Sequence, residues 1–487
     1  MPNTWPEVVR SGDADPAVLS RAVGRGTLRR LARGIYTGAA DDDLAVVVRR
    51  NLWAIVGHAV PGAVVVDRSA RRAGPVDGVL YVDHRRTRPL ELPGLRIQPR
   101  RGPGPVDGDM ALPDGLWIAS IARQLLDNLH RAKGAERRTL TDDEVEEWVE
   151  TLLVARGETG LNRLRDQAKS LAPVLERTAA YGRLTAIIRA ALTTGDVSLL
   201  RSEALRARAA GRPFDPRRIA AFEALAADLG ARAPDILPAL PVDEPRRRLL
   251  PFYEAYFSNY IEGTEFTLDE AAAIVFAGDV PSDRPADAHD ILSTYEVVSD
   301  RLEMSKTPAS AEEFEELLCS RHGRIMAGRP EMSPGRYKTR ANRAGGTAFV
   351  VPELVIGTLR RGFEIGADLT TPFARAVYLA FVTSEVHPFP DGNGRTARVM
   401  MNAELVAGGE VRIIVPTVYR GNYLSALKGA THTGHYAALF SMLSFARRYT
   451  ARVDFSSREN AEADLTRTNA LRDSEEAESA AVRLALP

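Results

Sequence analysis

Residues His387 to Arg398 read His-Pro-Phe-Pro-Asp-Gly-Asn-Gly-Arg-Thr-Ala-Arg, and this stretch leaves little freedom in what surrounds it. Upstream, Pro372 to Val386 predicts an amphipathic helix, with Thr371 as its cap, Pro372 at its first position, and Leu379, Val382 and Val386 recurring at helical spacing. Pro388 and Pro390 cannot continue that helix, so it stops near His387. A second helix is expected to start near Arg395 and to run through Met400 to Val406 before Gly408-Gly409 ends it. The chain must therefore place a histidine, a carboxylate, a Gly-Asn-Gly turn and two arginines within one helix–turn–helix unit.

These groups suit the handling of a nucleotide. Gly392 and Gly394 permit backbone angles closed to other residues, so successive amides, with that of Asn393 between them, form an anion nest. The N-terminus of the second helix adds amides and a positive dipole end where phosphates would sit. Arg395 and Arg398 fall on one face of that helix and are expected to grip phosphate oxygens together. Asp391 is a hard oxygen donor beside them and suits a magnesium ion bridging the phosphates and the protein. With an unperturbed pKa near about 6.5, His387 suits the role of base, and a helix C-terminus is expected to favour its imidazolium form.

The stretch resembles the signature of the Fic family, His-x-Phe-x-(Asp/Glu)-Gly-Asn-Gly-Arg-x-x-Arg, at every fixed position. The resemblance implies a helical domain that transfers AMP from ATP to a protein hydroxyl, with His387 as base and Gly392, Asn393, Gly394, Arg395 and Arg398 on the nucleotide. Relatives that phosphorylate carry a lysine near the present Gly394, so the loop argues against that chemistry. A second likeness lies upstream: Ser258-Asn259-Tyr260-Ile261-Glu262-Gly263 matches the family's inhibitory pattern, Ser/Thr-x-x-x-Glu-Gly/Asn. By that resemblance Glu262 pairs with Arg398, which cannot then hold a γ-phosphate. Some relatives with this glutamate also remove AMP, so that reaction stays open.

Between the two motifs, Thr267 with Glu270 and Ser310 with Glu313 read as capping boxes that open helices. Cys319 and His322 on the second of these read as packed helix positions. Gly345-Gly346-Thr347, followed by a β-prone run to Val351, suggests a hairpin, and it resembles the flap on which family members hold the target segment. Tyr419, Tyr423 and Leu427 resemble the element that closes over the adenosine, with Tyr423 as the ATP contact, although Ala430-Thr431 departs from the family there. His432 and His435 read as ordinary helix residues.

At 487 residues the chain has room for about three domains. Its 64 basic and 64 acidic residues, with 45% hydrophobic, indicate a globular protein and not a charged tail. A single cysteine excludes an internal disulfide, and Met1 to Pro16 has no apolar signal core. Arg49, Arg50, His58 and Pro61 break the Val/Ala-rich stretch from Leu44 to Val66, so no membrane span is expected and the cytoplasm is the default.

The fold class expected is mainly α: a helical domain with a β-hairpin flap, preceded by a helical connector and a small α+β region. Residues 1–130 are arginine-rich, with no lysine before Lys133. A short helix around Leu19 to Val23 and a hairpin from Gly26 to Thr37 resemble the winged helix of AbiEi-type antitoxins. Val64 to Ala70, Leu80 to Asp83 and Leu95 to Gln98 read as strands, and Asp114 to Leu129 as a helix. Arg25, Arg29, Arg30 and Arg33 would contact DNA phosphates under that resemblance, or form a solvated basic face. Residues 131–232 read as a helical connector opened by Thr141 and Glu144, and 233–251, with prolines at 234, 238, 241, 245 and 251, as a stiff linker. The helical catalytic domain spans 252–452 and a helical extension 453–487. Two function classes follow: an autoinhibited AMP transferase acting on a protein target, or a DNA-binding, toxin–antitoxin-like regulator whose second half senses nucleotide.

Overall fold

The computed structural model describes residues 5–39, 41–131, 138–233 and 235–487, so Lys133 and Pro234 lie outside the described residues. The chain is mainly helical and divides into two units, Met1–Gly211 and Arg212–Pro487.

In the first unit, β1 (Val9–Arg10), α1 (Pro16–Gly24), β2 (Arg29–Ala32) and β3 (Ile35–Thr37) form one helix against an antiparallel sheet of order β1-β3-β2. The helix-then-hairpin order is that expected, with Asp15 capping α1 and Pro16 at its start. After α2 (Leu44–Arg50) and α3 (Leu52–Ala59) come β4 (Val64–Val65), α4 (Asp67–Arg72), β5 (Val79–Asp83), β6 (Leu90–Leu92), β7 (Leu95–Arg100), β8 (Met110–Leu112) and β9 (Leu116–Ile118). These strands make a mixed six-stranded sheet of order β6-β7-β5-β4-β9-β8.

Two sequence expectations need correction here. The strand from Val64 ends at Val65, because Asp67 turns the chain with φ 55 into α4. The helix expected over Asp114 to Leu129 is a strand followed by a helix. Leu116-Trp117-Ile118 pairs in parallel with β4, and Ser120 then caps α5 (Ile121–Leu129). Helices α6 (Asp142–Val174), α7 (Thr178–Ala191) and α8 (Glu203–Ala209) pack around Val149, Leu153, Leu164 and Leu184, and Thr141 and Glu144 close the expected capping box.

The second unit begins before the expected connector ends. Its α9 (Pro216–Gly230) inserts Phe222 into an aromatic cluster with Tyr378 and Phe381. The stiff linker expected over 233–251 is also too long, because α10 (Glu244–Ile261) starts inside it. Pro245 sits in its first turn, where the missing N–H has no partner to lose, and Pro251 is tolerated within a helix that tertiary packing buries.

The unit continues with α11 (Leu268–Ala272), α12 (Pro285–Ser299), α13 (Arg301–Met304), α14 (Ala311–Ile325), the hairpin β10 (Arg343–Ala344) and β11 (Thr347–Ala348), α15 (Val355–Gly366), α16 (Pro372–Val386) and α17 (Asn393–Ala407). The hairpin turns at Gly345-Gly346 with Ala344 opposite Thr347. α16 and α17 pack closely and are buried along most of their length, which fixes the turn between them. Last come α18 (Arg420–Thr433), α19 (Tyr436–Arg452), α20 (Arg458–Arg467) and α21 (Ser474–Ser479). Leu465, Ala470, Ala477 and Leu484 anchor the terminal helices in the same core as Phe252, Tyr253 and Phe257 of α10.

Candidate active site

Helix α16 ends as Pro388 requires, and His387 closes it in the left-handed conformation, φ 50 and ψ 59, with its N–H on Thr383 O. Its Nδ1 lies 3.2 Å from Ser384 O. A carbonyl only accepts, so Nδ1 carries the hydrogen and Nε2 is left as the basic nitrogen. The ring stacks on Phe349 with centroids 3.7 Å apart and planes within 4°. Burial, with Lys338 adding to it, pushes the imidazole pKa down to about 4. This corrects the expectation that the helix C-terminus would favour imidazolium: desolvation outweighs the dipole. The ring is therefore neutral, and able to take a proton, throughout the neutral range.

The turn that follows is braced from within. Asn393 Oδ1 accepts from Phe389 N and its Nδ2 donates to Phe389 O, both at 2.9 Å. Both ends of the amide are thereby engaged, so the Asn393 side chain shapes the turn. Gly392 takes φ 71, and a Cβ there would lie 2.6 Å from Met326 Sδ. Gly392→Ala is expected to lower the unfolding free energy by about 1–3 kcal/mol, measured by urea denaturation, because strain and overlap act together. α17 starts at Asn393, two residues earlier than expected, because Gly392 itself serves as N-cap.

His322 of α14 supports the turn from outside. Its ring stacks on Phe389 at 3.7 Å, its Nδ1 accepts from Gly335 N and its Nε2 donates to Asp391 O, both at 2.9 Å. Burial pushes its pKa down to about 4. Stability therefore falls as pH drops from about 6.5 toward 4, where the unfolded chain binds a proton that the folded ring refuses. His322→Gln is expected to flatten the loss of melting temperature between pH 6.5 and 4.5 relative to the parent.

The arginines are held differently. Arg398 is buried, and donates from Nε to Ser258 Oγ (2.9 Å) and from Nη2 to Ser258 O (2.8 Å) and Glu262 Oε1 (2.7 Å). Glu262 caps the C-terminal end of α10, and Gly263 follows at φ 90. A Cβ on Gly394 would lie 2.2 Å from Glu262 Oε1. The carboxylate thus rests on the first turn of α17, where amide hydrogens and the helix dipole favour an anion. Arg395, by contrast, pairs with buried Asp290 at 2.5 Å and more loosely with Asp391 at 3.6 Å. Arg329 shares Asp290 at 2.9 Å. Arg395 thus has a carboxylate partner already, which the paired-clamp expectation did not foresee.

Around this centre, Tyr423 presents its ring to Arg398, with the guanidinium carbon 5.9 Å from the centroid. Tyr419 lies in a short 3-10 turn ahead of α18 instead of on it. Thr347 at the hairpin bonds His432 Nε2 at 2.8 Å, and Arg218 donates to Ala348 O at 2.8 Å. Asp290, Lys338, Phe349 and the contacting role of His432 were not read from sequence, since each reaches the site from a separate element without a motif. Arg25, Arg29, Arg30 and Arg33 all belong to the first unit; Arg29 donates to Asp42 O and Arg30 to Ala32 O. No helix among the described residues is long and apolar enough to cross a membrane.

Residues 313–405, which hold this turn, match the profile of the Fic/DOC family. Protein adenylyltransferase fic-1 of Caenorhabditis elegans is 27% identical over 201 residues, which are 40% of this chain and 38% of that protein. Protein adenylyltransferase Fic of Nematostella vectensis is 27% identical over 189 residues, 37% of this chain and 43% of that one. The chain thus spans about two fifths of the length of these curated relatives. A solved structure of Fic-1 from C. elegans aligns with 67% of this chain and 99% of its own at 18% identity and a TM-score of 0.38, a likeness too loose to add to the sequence match.

Proposed function

We propose that the second unit is an autoinhibited protein adenylyltransferase, acting in the cytoplasm, that moves AMP from ATP to a Ser, Thr or Tyr hydroxyl of a target protein, itself included. The observation that carries this reading is Glu262 resting on the first turn of α17 and paired with Arg398, directly after the turn that a neutral, basic His387 opens. The names of the relatives agree with it.

In the reaction His387 Nε2 removes the proton of the acceptor hydroxyl. The oxygen attacks the α-phosphorus in line, the bond to the bridging oxygen breaks, and pyrophosphate leaves. The amides of Gly394 and Arg395, with Arg398 once released, hold the phosphate oxygens. The exposed edge of the β10–β11 hairpin pairs with the target segment. Asp391, whose side chain is 46% exposed, is placed to hold a magnesium ion that would neutralise charge on the triphosphate.

Intact mass of Glu262→Gly protein after incubation with ATP and magnesium tests this. The expected result is the added mass of AMP, absent from Glu262→Gly/His387→Ala. An added phosphate would replace the reading with a kinase, and ATP turnover independent of His387 would end it.

A further inference from the structure

The root of the hairpin and the catalytic turn form one hydrogen-bonded body, centred on a lysine that no motif singles out. Lys338 precedes the hairpin and is 4% exposed. Its backbone N–H donates to Pro388 O at 2.8 Å. Its Nζ donates to His387 O at 2.7 Å, Val386 O at 3.2 Å and Asn342 Oδ1 at 2.7 Å. Asn342 in turn donates from Nδ2 to Phe389 O at 3.0 Å and, more weakly, to His387 O at 3.4 Å. The carbonyl of Asn342 accepts from Phe349 N, and Phe349 lays its ring on the His387 imidazole.

Three features make this more than packing. All three acceptors of Nζ are neutral oxygens, so a buried amine is kept here at a desolvation cost that an apolar side chain would avoid. Val386 O and His387 O lie at the end of α16, where carbonyls lack helical partners. His387 itself is a non-glycine residue at φ 50, a conformation that persists only where its surroundings impose it.

We propose that Lys338 is a positioning residue for His387: it ties the flap root to the carbonyls that flank His387 at the start of the catalytic turn and so holds the left-handed backbone that aims Nε2. Burial and the nearby Arg218 push its pKa down to about 7, in keeping with an amine whose acceptors are neutral oxygens. The inference rests on the AMP-transfer reading, since it assigns His387 the role of base. It also makes flap and base a single unit, so a target segment pairing with β11 acts on the ring through Phe349 and Asn342.

The test is made in the Glu262→Gly protein with Lys338→Met and Lys338→Arg. Lys338→Met is expected to lower kcat by about tenfold or more while the KM for ATP stays within about twofold, and Lys338→Arg to recover most of the loss. In parallel, the His387 Cε1–H signal, assigned by its absence in the His387→Ala protein, should shift in Lys338→Met and stay near the parent position in Lys338→Arg. Should Lys338→Met not fold, Lys338→Gln replaces it with the same expectations. A parental kcat in Lys338→Met overturns the proposal, as does a loss of kcat with a matching rise in KM that arginine does not rescue. If the parent transfers no AMP, the transfer reading falls, and an unmoved His387 signal then overturns the positioning role independently.

Discussion

Replacing His387 by alanine in the Glu262→Gly protein is expected to lower AMP transfer by about a hundred- to ten-thousand-fold, the range that a positioned general base supplies. The argument is geometric. Nδ1 is committed to Ser384 O, and burial keeps the ring neutral down to about pH 4. The basic nitrogen is therefore available whenever a hydroxyl reaches it, and the rate should stay level from about pH 5 upward until another group titrates. Initial rates with radiolabelled ATP measure both effects. ATP affinity should stay within about twofold, because the ring makes no phosphate contact in the proposed reaction. Transfer that survives the substitution would remove His387 from the chemistry.

Glu262→Gly alone is expected to raise the initial rate over wild type by on the order of 10- to 100-fold. The carboxylate and the triphosphate compete for the same features: the first amides of α17 and the Arg398 guanidinium. A competing state favoured by about 1.4–2.8 kcal/mol suppresses the productive one by those factors, and a partly exposed charge pair with one charge-assisted hydrogen bond falls in that range. Glu262 has a side chain 29% exposed, so its removal leaves Arg398 with both Ser258 contacts and costs less than breaking a fully buried pair. Glu262→Gln should lie between the two, since it keeps the hydrogen bond and the bulk but loses the charge. Equal rates for Glu262→Gly and wild type would show that the pair does not restrain transfer.

Much of this site was legible before any coordinates. Pro388, Pro390 and Gly392 act through local backbone constraints, so they announce the end of one helix and the start of the next, whereas Gly394 is an ordinary helical residue whose Cβ would meet Glu262. The inhibitory hexapeptide was legible through its resemblance to the family pattern; in the structure Ser258 and Glu262, four apart in sequence, meet Arg398 together. What was misread turns on burial and long-range pairing. Leu116-Trp117-Ile118 looked like the start of a helix until β4 supplied a parallel partner. Pro245 and Pro251 looked like linker residues until the core around Phe252 and Tyr253 held α10 across them. The His387 dipole argument was sound in sign, but it omitted the ring of Phe349.

The sequence by itself determined the turn and its chemical groups, because each depends on neighbours within a few residues, and it pointed to the opposing glutamate through a family resemblance. Only the tertiary structure decided which partners those groups take. Asp290 holds Arg395, Lys338 ties the flap root to the carbonyls of Val386 and His387, and Phe349 covers the base. These residues come from α12, from the approach to the hairpin and from just beyond it. Contacts between distant segments follow from how helices pack, and the strength of a charge or the pKa of a ring follows from what that packing excludes.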